Sequence, residues 1–194
     1  MKLIVILVVI FFSSCQPVVK LLIGIRQPKL EDKESLSHYL NKKNMAIDNI
    51  LVYDDSSFFK HKVNDIADLP EIRVFNKQGI LIYYKDTAST CTGPAEEFTK
   101  SICSAKDLNS NSSWNITTEL KKLVTLDNNP VVLSGDDSTD FYVFIYWARY
   151  IGRLNKIKVR EWERNLSQVN GCKVWVAKVN MDSQKKWYEK KQNE

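Results

Sequence analysis

The sequence predicts an α/β sandwich with a mixed β-sheet, and two segments indicate this fold class. Residues 69–85 predict a β-hairpin, because two runs rich in β-branched and aromatic residues flank the turn at 76–79. Residues 141–179 predict a βαβ unit, because two continuous apolar runs enclose a segment whose apolar residues recur at helical spacing. Since a hairpin is antiparallel and a βαβ unit is parallel, a sheet that contains both is mixed.

The chain begins with the layout of an export signal. Lys2 precedes the ten-residue apolar run Leu3–Phe12, and the small residues Ser13 and Ser14 follow. A run of this length is too short to span a bilayer as a helix, which needs about 20 residues. A basic start, a short apolar core and small residues are typical of a secretory signal peptide, so residues 1–14 are expected to be removed.

The cysteine that ends this stretch resembles the modified cysteine of bacterial lipoproteins. The resemblance implies that Cys15 carries a lipid and that residues 15–30 form an anchor and tether whose partner is the membrane. Gln16 is not the aspartate that favours retention at the inner membrane, which implies the outer membrane, facing the periplasm. The alternative is an ordinary secretory signal in which Cys15 is incidental.

Residues 31–103 are expected to form an N-terminal portion of helices and strands. Glu31–Lys43 predicts a helix with acidic residues in its first turn, and Ile50–Tyr53 predicts a short buried strand. The hairpin follows. Residues 104–118 are rich in serine and asparagine, which favours a polar linker.

Residues 119–194 are expected to form a C-terminal βαβ portion. A short helix is predicted at 119–126, and strands are predicted at 141–146 and 174–179. The helix between the strands is inferred from apolar residues at helical spacing, namely Ile151, Leu154, Ile157, Trp162, Leu166 and Val169.

Residues 140–155, DFYVFIYWARYIGRLN, resemble the first strand and active-site turn of a thioredoxin. Three residues match the family pattern W-A-x-W-C-G-P-C: Trp147, Ala148 and Gly152. Tyr150 stands for the second aromatic residue, Arg153 replaces the proline, and the cysteine positions hold Ile151 and Leu154. Because disulfide exchange needs an attacking thiolate and a resolving thiol, the resemblance implies a scaffold that has lost its redox chemistry.

The hairpin segment is similar to the thioredoxin segment that begins with a cis-proline and continues into the last helix, which implies that Pro70 is that proline and that Ala95–Ile102 is that helix. The alternative is a trans Pro70 that starts an edge strand. In the family the active-site strand precedes the cis-proline hairpin, whereas here Phe141 follows Pro70. The expected thioredoxin-like sandwich is therefore either one sheet in permuted order or a degenerate tandem of two units.

The resemblance implies a binding or structural role at the cell envelope, with an envelope protein or peptide contacting Trp147, Tyr150, Ile151 and Arg153. The alternative is a thiol oxidoreductase or peroxide reductase using Cys91, which precedes a predicted helix whose N-terminus would favour a thiolate.

Cys91, Cys103 and Cys172 also allow one structural disulfide in an oxidising compartment. No metal-ligand spacing or phosphate loop predicts a metal or cofactor. The net charge of +5 comes from scattered basic residues, which does not indicate nucleic-acid binding.

Overall fold

The structure is a computed structural model that describes residues 24–46, 48–55, 69–82, 93–107, 114–133 and 138–192. Within these residues six strands form one sheet in the order β3-β2-β5-β6-β1-β4. Their bounds are β1 (Ile50–Tyr53), β2 (Glu71–Asn76), β3 (Leu81–Ile82), β4 (Leu123–Thr125), β5 (Phe141–Trp147) and β6 (Val174–Asn180).

The sheet is mixed, which confirms the α/β class and the mixed sheet expected from the sequence. The three adjacent strands β5, β6 and β1 are parallel, whereas β2 and β3 on one side and β4 on the other are antiparallel additions. Strands from residues 31–103 and from residues 119–194 are interleaved within this one sheet, because β5 and β6 lie between β2 and β1. The hairpin β2–β3 lies beside β5 because β2 pairs with β5 over six residue pairs.

Five α-helices lie within the described residues: α1 (Lys33–Lys42), α2 (Gly93–Lys100), α3 (Ile116–Leu120), α4 (Arg160–Ser167) and α5 (Lys186–Gln192). Short 3-10 turns occur at Ile102–Asp107 and Arg149–Ile151. Helix α1 begins two residues later than predicted, because Asp32 is its N-cap and accepts a hydrogen bond from the Ser35 amide at 2.8 Å.

The helices cover both faces of the sheet. One core cluster joins α1, α2 and α4 to the sheet through Leu36, Leu40, Ala95, Val143, Ile145, Trp162 and Leu166. The opposite cluster joins α3 and α5 to the other face through Phe75, Ile116, Phe144, Ala177, Val179 and Trp187. This alternation follows from the period of two along a strand, which points successive residues of β5 to opposite faces.

Two element predictions are wrong. The predicted helix 119–126 is α3, which ends at Leu120, followed by β4, which pairs antiparallel with β1 at the sheet edge. The helix predicted after β5 is interrupted, because Asn155–Val159 forms a wider π-helical turn before α4. That turn brings Val159 into the core and leaves Ile157 55% exposed.

One disulfide joins Cys103, after α2, to Cys172, before β6, with Cα atoms 5.5 Å apart. It links the two portions of the chain across 69 residues. Several sequence predictions lie outside the described residues: the signal 1–14, the lipid site Cys15, and Cys91. None of the described helices is long and apolar enough to cross a membrane.

Candidate functional site

The candidate site lies at the carboxyl ends of the parallel strands β5 and β6, where Trp147 is opposite Asn180. Open α/β sheets bind ligands outside the carboxyl ends of their parallel strands. The chain leaves β5 through residues 148–154, here named the β5 turn, and leaves β6 through residues 180–184. These two segments and the start of the described chain build the site.

Trp147 and Ile151, two of the four residues expected to contact a peptide, are buried. Trp147 is 0% exposed and Ile151 is 5% exposed. Tyr150 is half-buried, and Arg153 is the exposed member of the four. Neither Trp147 nor Ile151 can therefore contact a bound peptide in this conformation. Leu154, at the second cysteine position of the resemblance, is also partly buried against the core.

Pro70 lies beside the site. The Leu69–Pro70 peptide bond is cis, and Pro70 is buried. Glu71 pairs with Tyr146 across the antiparallel strands β2 and β5. Pro70, one residue before Glu71, therefore lies opposite Trp147, one residue after Tyr146. The structure thus brings Pro70 and the β5 turn to the same end of the sheet.

The Asp182 carboxylate closes the β5 turn from the β6 side. Its Oδ2 accepts hydrogen bonds from the Arg149 amide at 2.5 Å and from Asn180 Nδ2 at 2.8 Å. Burial raises the pKa of Asp182 to about 6, against the hydrogen bonds from the Arg149 and Tyr150 amides, which favour the ionised form. The amide groups at the start of the β5 turn are therefore already occupied by a carboxylate.

Asn180 and Gln184 fix this carboxylate in place. Asn180 is fully buried, and its Oδ1 accepts hydrogen bonds from the Asp182 amide and from Gln184 Nε2, each at 3.1 Å. Gln184 Nε2 also donates to the Asp182 carbonyl oxygen at 2.9 Å. These contacts fix Oδ2 of Asp182, whereas its buried Oδ1 accepts no hydrogen bond from the described residues.

On the other side of the turn, Arg149 is held by an ion pair and an aromatic ring. Its Nη1 lies 2.6 Å from Oε2 of the buried Glu31, which also accepts a hydrogen bond from Ser35 Oγ at 2.6 Å. The Arg149 guanidinium lies 5.5 Å from the centre of the Tyr39 ring, a cation–π arrangement. Tyr39 in turn stacks on Trp147 with ring centres 5.8 Å apart.

Asn155 connects α1 to the β5 turn. Its Nδ2 donates to the Tyr39 hydroxyl at 3.0 Å and to the Ala148 carbonyl oxygen at 2.8 Å. Burial raises the pKa of Tyr39, although the nearby charges of Arg149 and Arg26 oppose the rise. The hydroxyl of Tyr39 is therefore a neutral hydrogen-bonding group.

Residues 24–26 lie across the β5 turn. The Arg26 amide donates to the Tyr150 carbonyl oxygen at 2.8 Å. Gly152 has φ +61°, and a Cβ at this position would lie 1.9 Å from the Gly24 carbonyl oxygen. Only glycine allows this close approach of two backbones. Residues 24–26, which lie in the expected tether, are thus packed directly on the β5 turn.

Between this segment, the end of α1 and the β5 turn lies a cleft of about 310 Å³, here named the basic cleft. Its cationic lining comprises Arg26, Lys42, Lys43, Arg149 and Arg153, with His38 and Tyr39 beside them. None of the described residues that line it is acidic. The Lys43 ammonium lies 5.9 Å from the centre of the Tyr39 ring, on which Arg149 also packs.

The two described cysteines form the disulfide and lie at the other end of the sheet from the β5 turn, since Cys172 precedes β6. Among the described residues, no three His, Cys, Asp or Glu side chains lie close enough to hold a metal ion.

Comparisons with protein-family models, curated proteins and solved structures found no match to this chain. The site is therefore interpreted from its own geometry.

The sequence reasoning missed most polar residues of this site: Glu31, Tyr39, Arg149, Asn155, Asn180, Asp182 and Gln184. The usable signal was the position of Asn180 and Asp182 directly after a continuous apolar strand, because residues that follow buried parallel strands collect at one edge of the sheet.

Proposed function

We propose that this chain is a redox-inactive, thioredoxin-like binding protein with a permuted strand order, anchored by a lipid on Cys15 to the outer membrane and facing the periplasm. The observation that carries the proposal is the strand arrangement around β5. A cis-proline hairpin pairs antiparallel with β5 on one side, and the parallel strands β6 and β1 lie on the other. The resemblance to a thioredoxin implies this arrangement around the active-site strand. In this chain, however, the hairpin precedes β5 in the sequence.

The environment of the β5 turn supports a loss of thiol chemistry. Ile151 and Leu154 stand at the two cysteine positions, and neither can carry a thiolate. Asp182 accepts the hydrogen bond of the Arg149 amide, and its charge would oppose a neighbouring thiolate. A binding role is favoured because the exposed part of the site is a charged cleft.

The anchor belongs to the same proposal. Cys15 precedes Gly24 by nine residues, which span at most about 30 Å when fully extended. A lipid on Cys15 would therefore keep the folded part, and the basic cleft at its start, close to the bilayer. The partner would then be an envelope component that approaches the membrane surface.

The test is mass spectrometry of protein extracted from membranes after free thiols have been alkylated. A diacylglycerol and fatty acid on Cys15, together with no disulfide-reductase or peroxidase activity in wild type or in Cys91→Ser, is the expected result. A Cys91-dependent activity would replace the proposal with the thiol-enzyme alternative. An unmodified Cys15 would overturn the anchored location.

A further inference from the structure

We propose that the basic cleft binds a phosphoryl group, and that this ligand is what the proposed binding function recognises. The inference rests on the proposed function, because it assigns the chemical class of the ligand at the same site. It is carried by the convergence of five cationic side chains from three separate segments on one cleft of about 310 Å³. That volume is at the lower limit of small-molecule sites, which suits a compact anion.

The cleft carries a large excess of positive charge. Glu31 is the described carboxylate that pairs with one of its cations, Arg149. No described carboxylate lies within ion-pair distance of Arg26, Lys42 or Lys43. The carboxyl end of α1 adds the equivalent of about half a negative charge, which explains a favourable position for Lys42 and Lys43 but does not balance the cleft.

Arg26 and Arg153, unlike Lys42 and Lys43, do not lie at the carboxyl end of α1. The side chain of Arg153 passes over Gly24, whose Cβ position would lie 3.4 Å from Arg153 Cγ. The backbone bond between Arg26 and Tyr150 holds Arg26 beside the β5 turn. The Arg26 backbone and the Arg153 side chain therefore lie against the two segments that border the basic cleft.

The arginine and lysine side chains of the basic cleft indicate which type of anion it binds. Arginine presents a planar fork that pairs with two oxygens of a phosphate or carboxylate, and lysine supplies a point charge. Several cations on one small cleft favour a phosphoryl group, whose oxygens can accept from more than one cation and which carries one negative charge as a diester and nearly two as a monoester near neutral pH. Tyr39 also lines the cleft, and its hydroxyl, kept neutral by burial, accepts a hydrogen bond from Asn155.

Such a phosphoryl group has two sources near a membrane, a soluble phosphate ester or the headgroup of an anionic phospholipid. The experiment uses the full chain with Cys15→Ala, which removes the proposed lipid site. One arm titrates inorganic phosphate and glycerol 3-phosphate by calorimetry in a phosphate-free buffer of low ionic strength. The other compares flotation with phosphatidylglycerol vesicles and with phosphatidylcholine vesicles, so that apolar attachment contributes equally to both.

The cleft variant is Arg26→Gln with Lys43→Gln, and the matched control is Lys156→Gln with Arg160→Gln. Lys156 and Arg160 are exposed on the helical segment after β5 and line a separate depression. Both pairs remove two positive charges. Circular dichroism of each variant checks that the chain is folded.

Saturable binding that weakens about tenfold or more in the cleft variant and is unchanged in the control supports the inference. Binding of soluble ligands identifies a soluble phosphate ester, whereas binding only to phosphatidylglycerol vesicles identifies the headgroup. Equal weakening in both variants, or no saturable binding in either arm, overturns it.

Alkylation of free thiols and a disulfide-reductase assay on the same samples test the proposed function separately. Reductase activity with intact phosphate binding would refute the redox-inactive function alone, whereas a redox-silent chain without phosphate binding would refute the ligand assignment alone.

Discussion

The carboxylate of Asp182 gives the site a pH dependence that can be calculated from the structure. Burial raises its pKa from 3.8 to about 6, and each unit corresponds to about 1.4 kcal/mol. The native state thus binds this proton more tightly than the unfolded chain, so wild type loses stability as the pH rises from about 4 to about 6. The expected loss is about 3 kcal/mol.

The Asp182→Asn substitution removes this pH-dependent loss of stability. The asparagine oxygen can accept the same hydrogen bonds from the Arg149 amide and Asn180 Nδ2, but it does not ionise. Urea unfolding of both proteins between about pH 4 and about pH 7 gives the free energy of unfolding at each pH. The variant-minus-wild-type difference should grow by about 3 kcal/mol in favour of the variant across this range.

Asp32→Asn is the matched control, because the perturbation there has the opposite sign. The hydrogen bonds from the Lys185 ammonium and from Ser35 lower the pKa of Asp32 to about 2. Its contribution to stability is present above about pH 4 and is lost as the pH falls towards 2. The Asp32→Asn difference should therefore stay flat between pH 4 and 7. A flat Asp182→Asn difference in that window would refute the assigned burial of this carboxylate.

Two further perturbations test the packing around the site. Gly152→Ala should destabilise the chain by several kcal/mol more than Gly171→Ala: both have positive φ, but only the first Cβ meets the Gly24 carbonyl oxygen, at 1.9 Å. Equal losses on urea unfolding would show that Gly24 does not pack on the turn. Cys103→Ser with Cys172→Ser should cost about 4 kcal/mol, since the disulfide closes a loop of 69 residues. A change below about 0.5 kcal/mol would contradict a structural role for this bridge.

The elements that were predicted correctly are those whose signal is local. Strand β5 is a continuous apolar run, β2 contains β-branched and aromatic residues, and the turn between β2 and β3 contains Gly79 at φ +75°. β4 was missed because a three-residue edge strand next to α3 has no periodicity of its own. Its strand character comes from pairing with β1, which is about 70 residues away in the chain.

The order of strands and the polar site depend on contacts between distant segments. Nothing local shows that β1 and β6 are adjacent, or that Glu31 reaches Arg149 over 118 positions. The burial of Asp182 likewise follows from the packing of both strand ends. The sequence gives the residue types at these positions. Which of these side chains pair with one another is determined only by the assembled sheet.

The same geometry predicts that restoring the cysteines would not restore redox chemistry. In Ile151→Cys with Leu154→Cys, the first thiol would replace a side chain that is 5% exposed and would lie two residues from the Arg149 amide, which already donates to Asp182. Burial and the carboxylate both disfavour a thiolate, so its pKa should be at or above the ordinary value of about 8.5. The rate of iodoacetamide alkylation against pH measures that pKa. A value below about 7, with measurable insulin reduction, would show that the scaffold still activates a thiol and that the two side-chain replacements alone removed the activity.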